Sequence, residues 1–116
     1  MRVAIYRNLN RRCWSVKALE GPNKGRVVAH RDSLTLIGCS TKVSIVGRAR
    51  VRRLRIKTVH AWVLGELFDG PTTLPPDTMR YNPYTTDGFI DTVTGQLVTS
   101  ASTVVFTEDS KVHYSI

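Results

Sequence analysis

The sequence predicts a small α+β domain, mostly antiparallel β-sheet with one or two short helices. Three observations support this class. The chain has 116 residues, which is room for a single hydrophobic core. Its apolar fraction of 41% is high enough for a folded protein. Short segments of alternating apolar and polar residues recur between turn residues, which is typical of strands joined by tight turns.

Residues 1–46 predict a basic β-meander. Val3 and Ile5 alternate with polar neighbours, which indicates a half-buried first strand. A turn rich in Gly and Pro is predicted at residues 21–25, and a break is predicted near Gly38. The segments predicted as four or five short strands are residues 2–6, 13–19, 26–30 and 34–46.

Residues 47–57 are rich in arginine and are predicted to form either a helix or a strand. Their cations are Arg48, Arg50, Arg52, Arg53, Arg55 and Lys57. A helix places three of these arginines on one face and buries Val51 and Leu54. A strand requires a bulge between Arg52 and Arg53, where the alternation slips by one residue. We favour the helix, because Arg is a good helix former.

The second half of the chain predicts an apolar element, a long loop and two hairpins. Residues 58–68 predict a central strand or a helix packed on the sheet. Residues 69–88 predict a loop, because their prolines oppose regular structure. Residues 89–116 predict two hairpins, one with Gly95 in the left-handed conformation and one around residues 108–110.

Charge is divided unevenly along the chain. The formal net charge is +8, and the isoelectric point is about 10.1. Residues 1–57 hold 15 Lys and Arg against two acids, whereas residues 58–116 hold two against seven. The basic half can meet an anion or pair with the acidic half within an oligomer. Its arginines favour phosphate, although a solvated charged face is the simpler alternative.

Several function classes lack their sequence signatures. No apolar stretch approaches the ~20 residues of a membrane span, and no secretory leader is expected. Phosphate-binding loops, dinucleotide fingerprints and hydrolase elbows are absent. Cys13 and Cys39 are expected to be free thiols, and the histidines lie too far apart to suggest a metal site. We therefore predict neither an enzyme nor a cofactor, a metal site or a membrane partner.

Two kinds of phosphate partner fit the cations. A single nucleic-acid strand needs a basic footprint with aromatic platforms. The candidate platforms, whose strand patterns favour the core, are Tyr6, Trp14 and Trp62. A small phosphorylated ligand needs a pocket instead, which would form if the loop over residues 69–88 folds onto the sheet. The residues predicted for that pocket are Arg26, Asn82, Phe89 and Asp91.

Blocks along most of the chain resemble a family of small bacteriophage-encoded proteins. These blocks include residues 13–16, 25–30, 47–51, 59–63 and 81–84. The pattern also resembles the Thoeris anti-defence sponge proteins, which bind the cyclic ADP-ribose signal of bacterial TIR enzymes. That resemblance implies a protein of the host bacterial cytoplasm that sequesters a cyclic nucleotide without cleaving it. Cyclic oligonucleotides are further expected ligands.

The sponge resemblance also implies a set of site residues. Arg26 and the Arg-rich run would hold the phosphates, and Asn82, Phe89 and Asp91 would line the base or ribose. Gln96 would add a polar contact, although a cation would suit a phosphate better. The Arg-rich run is alternatively a second anion site or a contact of a homo-oligomer, either a dimer or a multiple of dimers. The alternative function is nucleic-acid binding or nuclease inhibition by a phage protein, as in anti-CRISPR or anti-restriction factors.

Overall fold

The computed structural model describes residues 1–55, 59–70, 72–82 and 88–116. These residues form nine strands and one helix. In chain order they are β1 (Arg2–Asn8), β2 (Cys13–Ala18), β3 (Val27–Arg31), β4 (Leu34–Val43), α1 (Ile45–Leu54), β5 (Ala61–Phe68), β6 (Asp77–Arg80), β7 (Ile90–Asp91), β8 (Ser100–Phe106) and β9 (Val112–Ser115). The predicted α+β class with a dominant antiparallel sheet is confirmed.

The strands form one antiparallel sheet in the order β3-β2-β1-β5-β4-β8-β9-β6-β7. Only the first three strands follow one another as a meander, so the predicted meander over residues 1–46 is wrong beyond β3. Strand β5 lies between β1 and β4 and pairs with both. It takes this central place because Ala61 and Val63 are fully buried and need neighbours on both sides.

Strand β4 is a single strand with a bulge. Its register against β5 shifts between Ile37 and Ser40. Gly38 lies within this shift and has a φ of +59°, a conformation that glycine adopts without steric cost. The predicted break near Gly38 is therefore a bulge inside one strand.

The helix favoured over the Arg-rich run is confirmed as α1. The Ser44 hydroxyl caps it by accepting a hydrogen bond of 3.1 Å from the Gly47 N–H, and Arg55 ends it in the left-handed conformation. The predicted burial of Leu54 is wrong, because this side chain is 52% exposed. The helix approaches β5 closely at Gly47, where an added Cβ would lie 3.0 Å from the Cβ of His60. No helix among the described residues is long and apolar enough to cross a membrane.

The segment predicted as a loop over residues 69–88 contains a strand. Strand β6 pairs with β9 on one side and β7 on the other. It forms despite the preceding prolines because Met79 is buried in the core. Both predicted C-terminal hairpins are confirmed: β8 pairs with β9, and Ile90 bridges to Leu97 across a turn in which Gly95 has a φ of +72°.

The sheet curls over its own inner face, where aromatic rings connect its two sides. Trp14 of β2 is fully buried, its ring lies 4.7 Å from that of Phe106, and its Nε1 donates to the Thr107 carbonyl at 2.9 Å. Trp14 also stacks on Tyr81 at 6.3 Å, and Tyr81 stacks on Phe89 at 5.0 Å. These contacts hold β2 against the ends of β8 and β6.

Candidate nucleic-acid interface

Two aromatic side chains project side by side from the outer face of the sheet. Val3, Ile5 and Val63 are fully buried and therefore point into the core. Ile5 pairs with Val63 in the register of β1 and β5. Tyr6 and Trp62 each lie next to a member of this pair, and successive side chains of a strand point to opposite faces. Tyr6 and Trp62 are half-buried and share the outer face.

Two lysines flank these rings. Lys42 of β4 lies opposite Trp62 in the register, and Lys17 of β2 places its Nζ 5.7 Å from the centroid of the Trp62 ring. A cation at this distance is attracted to the face of an indole. A shallow cleft of about 110 Å³ lies here, lined by Ala4, Lys17, Leu19, Lys42, Trp62 and Leu64. We call the surface formed by Tyr6, Lys17, Lys42 and Trp62 the aromatic–lysine face.

Helix α1 brings arginines beside the aromatic–lysine face. His60 lies two residues before Trp62, so its side chain is on the same side of β5, where Gly47 of α1 packs against it. Helix α1 therefore packs on β5 at a residue two positions before Trp62. Arg48 is half-buried, and the exposed arginines of the run are Arg50, Arg52, Arg53 and Arg55. Lys57, the last predicted cation, lies outside the described residues.

The strand order separates the two charge halves of the chain. Strands β3, β2, β1 and β4, together with α1, come from the basic residues 1–57. Strands β8, β9, β6 and β7 come from the acidic residues 58–116 and form the other side of the sheet. Strand β5 alone places part of the second half among the basic strands. Arg50 and Arg53 make no ion pair with the described residues.

The residues predicted for a nucleotide pocket lie on several different elements of the sheet. Arg26 is exposed in the turn before β3, at one end of the strand order, whereas Asp91 and Gln96 lie at or after β7, at the other end. Phe89 is fully buried in the core, so its ring offers no open face to a base. Asn82 is exposed directly after Tyr81. The Phe89 ring therefore serves core packing, stacked on Tyr81, and its role in a ligand site stays a prediction.

Asp91 and Gln96 do line one open cleft, of about 350 Å³. The Asp91 carboxylate accepts hydrogen bonds from the N–H groups of Val93 and Thr94, each at 2.8 Å, and from the Tyr114 hydroxyl at 2.5 Å. These hydrogen bonds, that of the Thr94 N–H above all, lower the pKa of Asp91 to about 2. The same carboxylate raises the pKa of Tyr114 to about 12. Asp91 therefore holds the turn, and its negative charge opposes phosphate in this cleft.

Acid should weaken the turn that Asp91 holds. Because its folded pKa of about 2 lies below the ordinary 3.8, Asp91 contributes its full stabilisation above pH 3.8. This stabilisation is lost as the pH falls from there through about 2. Replacing Tyr114→Phe removes one donor and should raise the pKa of Asp91 towards its ordinary value. An NMR titration of the Asp91 carboxyl measures this, with Tyr6→Phe as the control. An unchanged pKa in Tyr114→Phe would contradict the assignment.

Sequence reasoning missed the two lysines of the aromatic–lysine face. The strand patterns favoured the core for all three candidate platforms, which is correct for the fully buried Trp14 but not for the half-buried Tyr6 and Trp62. The signal for Lys17 was present, since β2 places it between buried apolar residues in the period-two pattern of a half-exposed strand. Among the described residues, no three His, Cys, Asp or Glu side chains form a group that could hold a metal ion.

Comparison with known proteins gives a bacteriophage family. The profile of the family described as Mycobacterium phage L5 gene 82 protein matches residues 1–114. Over 100 residues the chain is 41% identical to the Gene 82 protein of Mycobacterium phage L5, which covers 78% of this chain and 77% of that protein. No solved structure matches the chain significantly. The bacteriophage part of the predicted resemblance is thereby supported, while the names of these matches say nothing of a sponge.

Proposed function

This chain belongs to the family of the Mycobacterium phage L5 gene 82 protein, and we propose that it binds single-stranded nucleic acid in the host cytoplasm without cleaving it. The observation that carries the proposal is the aromatic–lysine face. Tyr6 follows Ile5 and Trp62 precedes Val63, its register partner, so both lie on the outer face of the sheet. Lys42 is opposite Trp62, and Lys17 lies over its ring. Inhibition of a host nuclease, as by an anti-CRISPR or anti-restriction factor, is the finer form of this function.

Stacking explains why a single strand suits this face. Each base that stacks on an aromatic side chain contributes about 1–3 kcal/mol, whatever its identity. Sheets that recognise RNA use aromatic residues on neighbouring strands to stack two or three bases. Tyr6 and Trp62 stand on the neighbouring strands β1 and β5 in this way. A duplex keeps its bases stacked on one another, so it presents no free base faces to the two rings.

Positively charged side chains beside the two rings supply the phosphate contacts of the proposed interface. Lys17 and Lys42 meet phosphates as point charges, and the arginines of α1 offer planar forks that match phosphate oxygens. Because α1 packs against His60, two residues before Trp62, we expect a strand that leaves the two rings to continue along the helix. The segregation of basic strands to one side of the sheet keeps the acidic strands away from this path.

The sponge function stays a prediction, and the geometry favours it less. It requires Arg26, beside β3, and Asp91, in β7, to bind one nucleotide. The cleft beside Gln96 contains Asp77 and Asp91, whose charges repel a nucleotide. The homo-oligomer expected from the opposite charges of the two halves also stays a prediction.

The test measures binding of a labelled oligothymidylate of about 12 bases by fluorescence anisotropy at several salt concentrations. We expect tight binding at low salt, with the logarithm of affinity falling by about 0.7 per phosphate contact for each tenfold rise in salt. Two double variants that remove the same charge give the decisive comparison. Arg50→Ala with Arg53→Ala should reduce the salt slope by about 1.4, whereas Arg80→Ala with Lys111→Ala, beside the acidic strands β6 and β9, should leave it unchanged.

Three results would contradict this proposal. They are an absence of binding at low salt, equal losses in both double variants, and preference for duplex over single strand. Cyclic ADP-ribose serves as a competitor in the same assay. If it binds more tightly than the oligonucleotide and loses affinity with Arg26→Ala, the sponge function replaces the one proposed.

A further inference from the structure

A charged side chain lies on the core side of the sheet, opposite to the aromatic–lysine face. Arg7 of β1 follows Tyr6 and points the other way, and it is 7% exposed. Its Nε and Nη1 atoms are buried and have no hydrogen-bond partner among the residues that the structure describes. The guanidinium stays charged at every pH at which a protein folds. The core therefore contains a cation with two donor nitrogens, Nε and Nη1, that none of the described residues satisfies.

The indole ring of Trp14 stabilises the charge of Arg7 in part, through a cation–π contact. Arg7 pairs with Trp14 in the register of β1 and β2, and its guanidinium carbon lies 5.1 Å from the centroid of the Trp14 ring. On its other side Trp14 stacks on Tyr81, whose hydroxyl donates to the Ala61 carbonyl at 2.6 Å. An aromatic face attracts a cation but accepts no strong hydrogen bond. Two donors of Arg7 therefore still need an acceptor.

No carboxylate of the described chain supplies that acceptor. The described ion pairs join the Met1 amino group to Glu66, Arg31 to Asp69 and Lys111 to Asp109. Buried polar groups in proteins are almost always hydrogen-bonded, and a buried charge without a partner is strongly destabilising. An anion from outside the chain would supply the acceptor that the described residues do not provide.

We propose that Arg7 binds a phosphoryl group at the inner face of β1 and β2, beside Trp14. The guanidinium donates hydrogen bonds to the phosphate oxygens, and Trp14 covers one of its faces. Strand β1 ends at Asn8, so Arg7 lies near the end of its strand, and we expect a small anion to enter from that end. The site is independent of the proposed nucleic-acid interface, because Arg7 and Tyr6 point to opposite faces of the sheet.

The test is thermal unfolding of the full chain in sodium phosphate and in sodium chloride at matched ionic strength. Phosphate should raise the melting temperature of the natural protein by about 5 °C or more as the site saturates. Arg7→Met should lose this increase and should unfold in chloride at no lower temperature, because it removes an uncompensated buried charge. Arg11→Met, at an exposed arginine in the following turn, should keep the full increase.

Additional variants and ligands make the test decisive. If Arg7→Met fails to fold, Arg7→Lys serves instead, because it keeps the charge but loses the planar fork. It should need about tenfold more phosphate for the same rise in melting temperature. In a Trp62→Phe background, the fluorescence of Trp14 should change with phosphate at the same midpoint concentration.

A comparison of ligands identifies the source of the phosphoryl group. If adenosine monophosphate acts at a lower concentration than phosphate, the natural ligand is a nucleotide. If the two midpoint concentrations are equal, it is free phosphate. Equal shifts in Arg7→Met and Arg11→Met, an equal response to acetate, or no response to either phosphate compound would overturn the proposal.

Discussion

Replacing Trp14→Ala should lower the free energy of unfolding by about 3–5 kcal/mol, the range for truncating a large buried aromatic side chain. The ring is fully buried, packs against Phe106 and Tyr81, and donates a hydrogen bond to the Thr107 carbonyl. Its loss leaves a cavity between the two sides of the curled sheet. Because domains of this size are stabilised by about 5–15 kcal/mol, the variant should be at the margin of folding.

Urea unfolding followed by circular dichroism measures this loss, and the second tryptophan of the chain is the matched control. Trp62→Ala removes the same side chain from the outer face and should cost less than about 1.5 kcal/mol, since the ring is only half-buried. Similar losses in the two variants would show that the placement of one tryptophan in the core and the other on the surface is wrong.

The second large effect is expected on binding. The double variant Tyr6→Ala with Trp62→Ala should lose about 2–6 kcal/mol of binding free energy for the oligothymidylate, because two stacked bases each lose about 1–3 kcal/mol. A loss of 2 kcal/mol corresponds to an affinity about 30-fold lower, since each 1.4 kcal/mol is a factor of ten. The salt slope should change little, because neither side chain is charged.

The control for this prediction keeps the rings. Tyr6→Phe with Trp62→Phe removes the polar groups but leaves an aromatic face on each strand, so it should retain most of the affinity. Melting temperatures of both double variants separate a loss of binding from a loss of folding. If the alanine variant is folded and binds as tightly as the phenylalanine variant, stacking does not contribute to the interface.

Local features of the fold were predictable because they depend on neighbours in sequence. The alternation around Val3 and Ile5 predicts β1, Gly95 predicts the turn after β7, and the arginines favour α1. The order of strands was not predictable in this way, because nothing within residues 34–46 indicates that β5 and β8 are the partners of β4. The short strand β6 was hidden by its prolines, and it forms only because a long-range partner, β9, accepts it.

The candidate site was only partly predictable, for a related reason. Trp14 and Trp62 both stand in apolar segments, and the register of pairing decides which one faces the core. Nothing in the sequence indicated that Arg7 is buried, because arginine is rarely buried and the residues around Arg7 are typical of any strand. Asp91 was singled out as a ligand, but its hydrogen bond to Tyr114 joins residues that are 23 positions apart.

The central place of β5 governs the order in which the protein can fold during synthesis. Until residues 61–68 have been made, β1 and β4 each expose an unpaired edge to solvent, and such edges are templates for pairing with other chains. When the basic half leaves the ribosome, the β1–β3 meander and β4 therefore cannot yet form one sheet, because β5 is still missing. Because three strand pairs, β1–β5, β4–β8 and β6–β9, connect strands that are not consecutive in the chain, folding should be slower than in a helical domain of this length. The nascent cations, which repel one another, are then the main protection against aggregation before the sheet is complete.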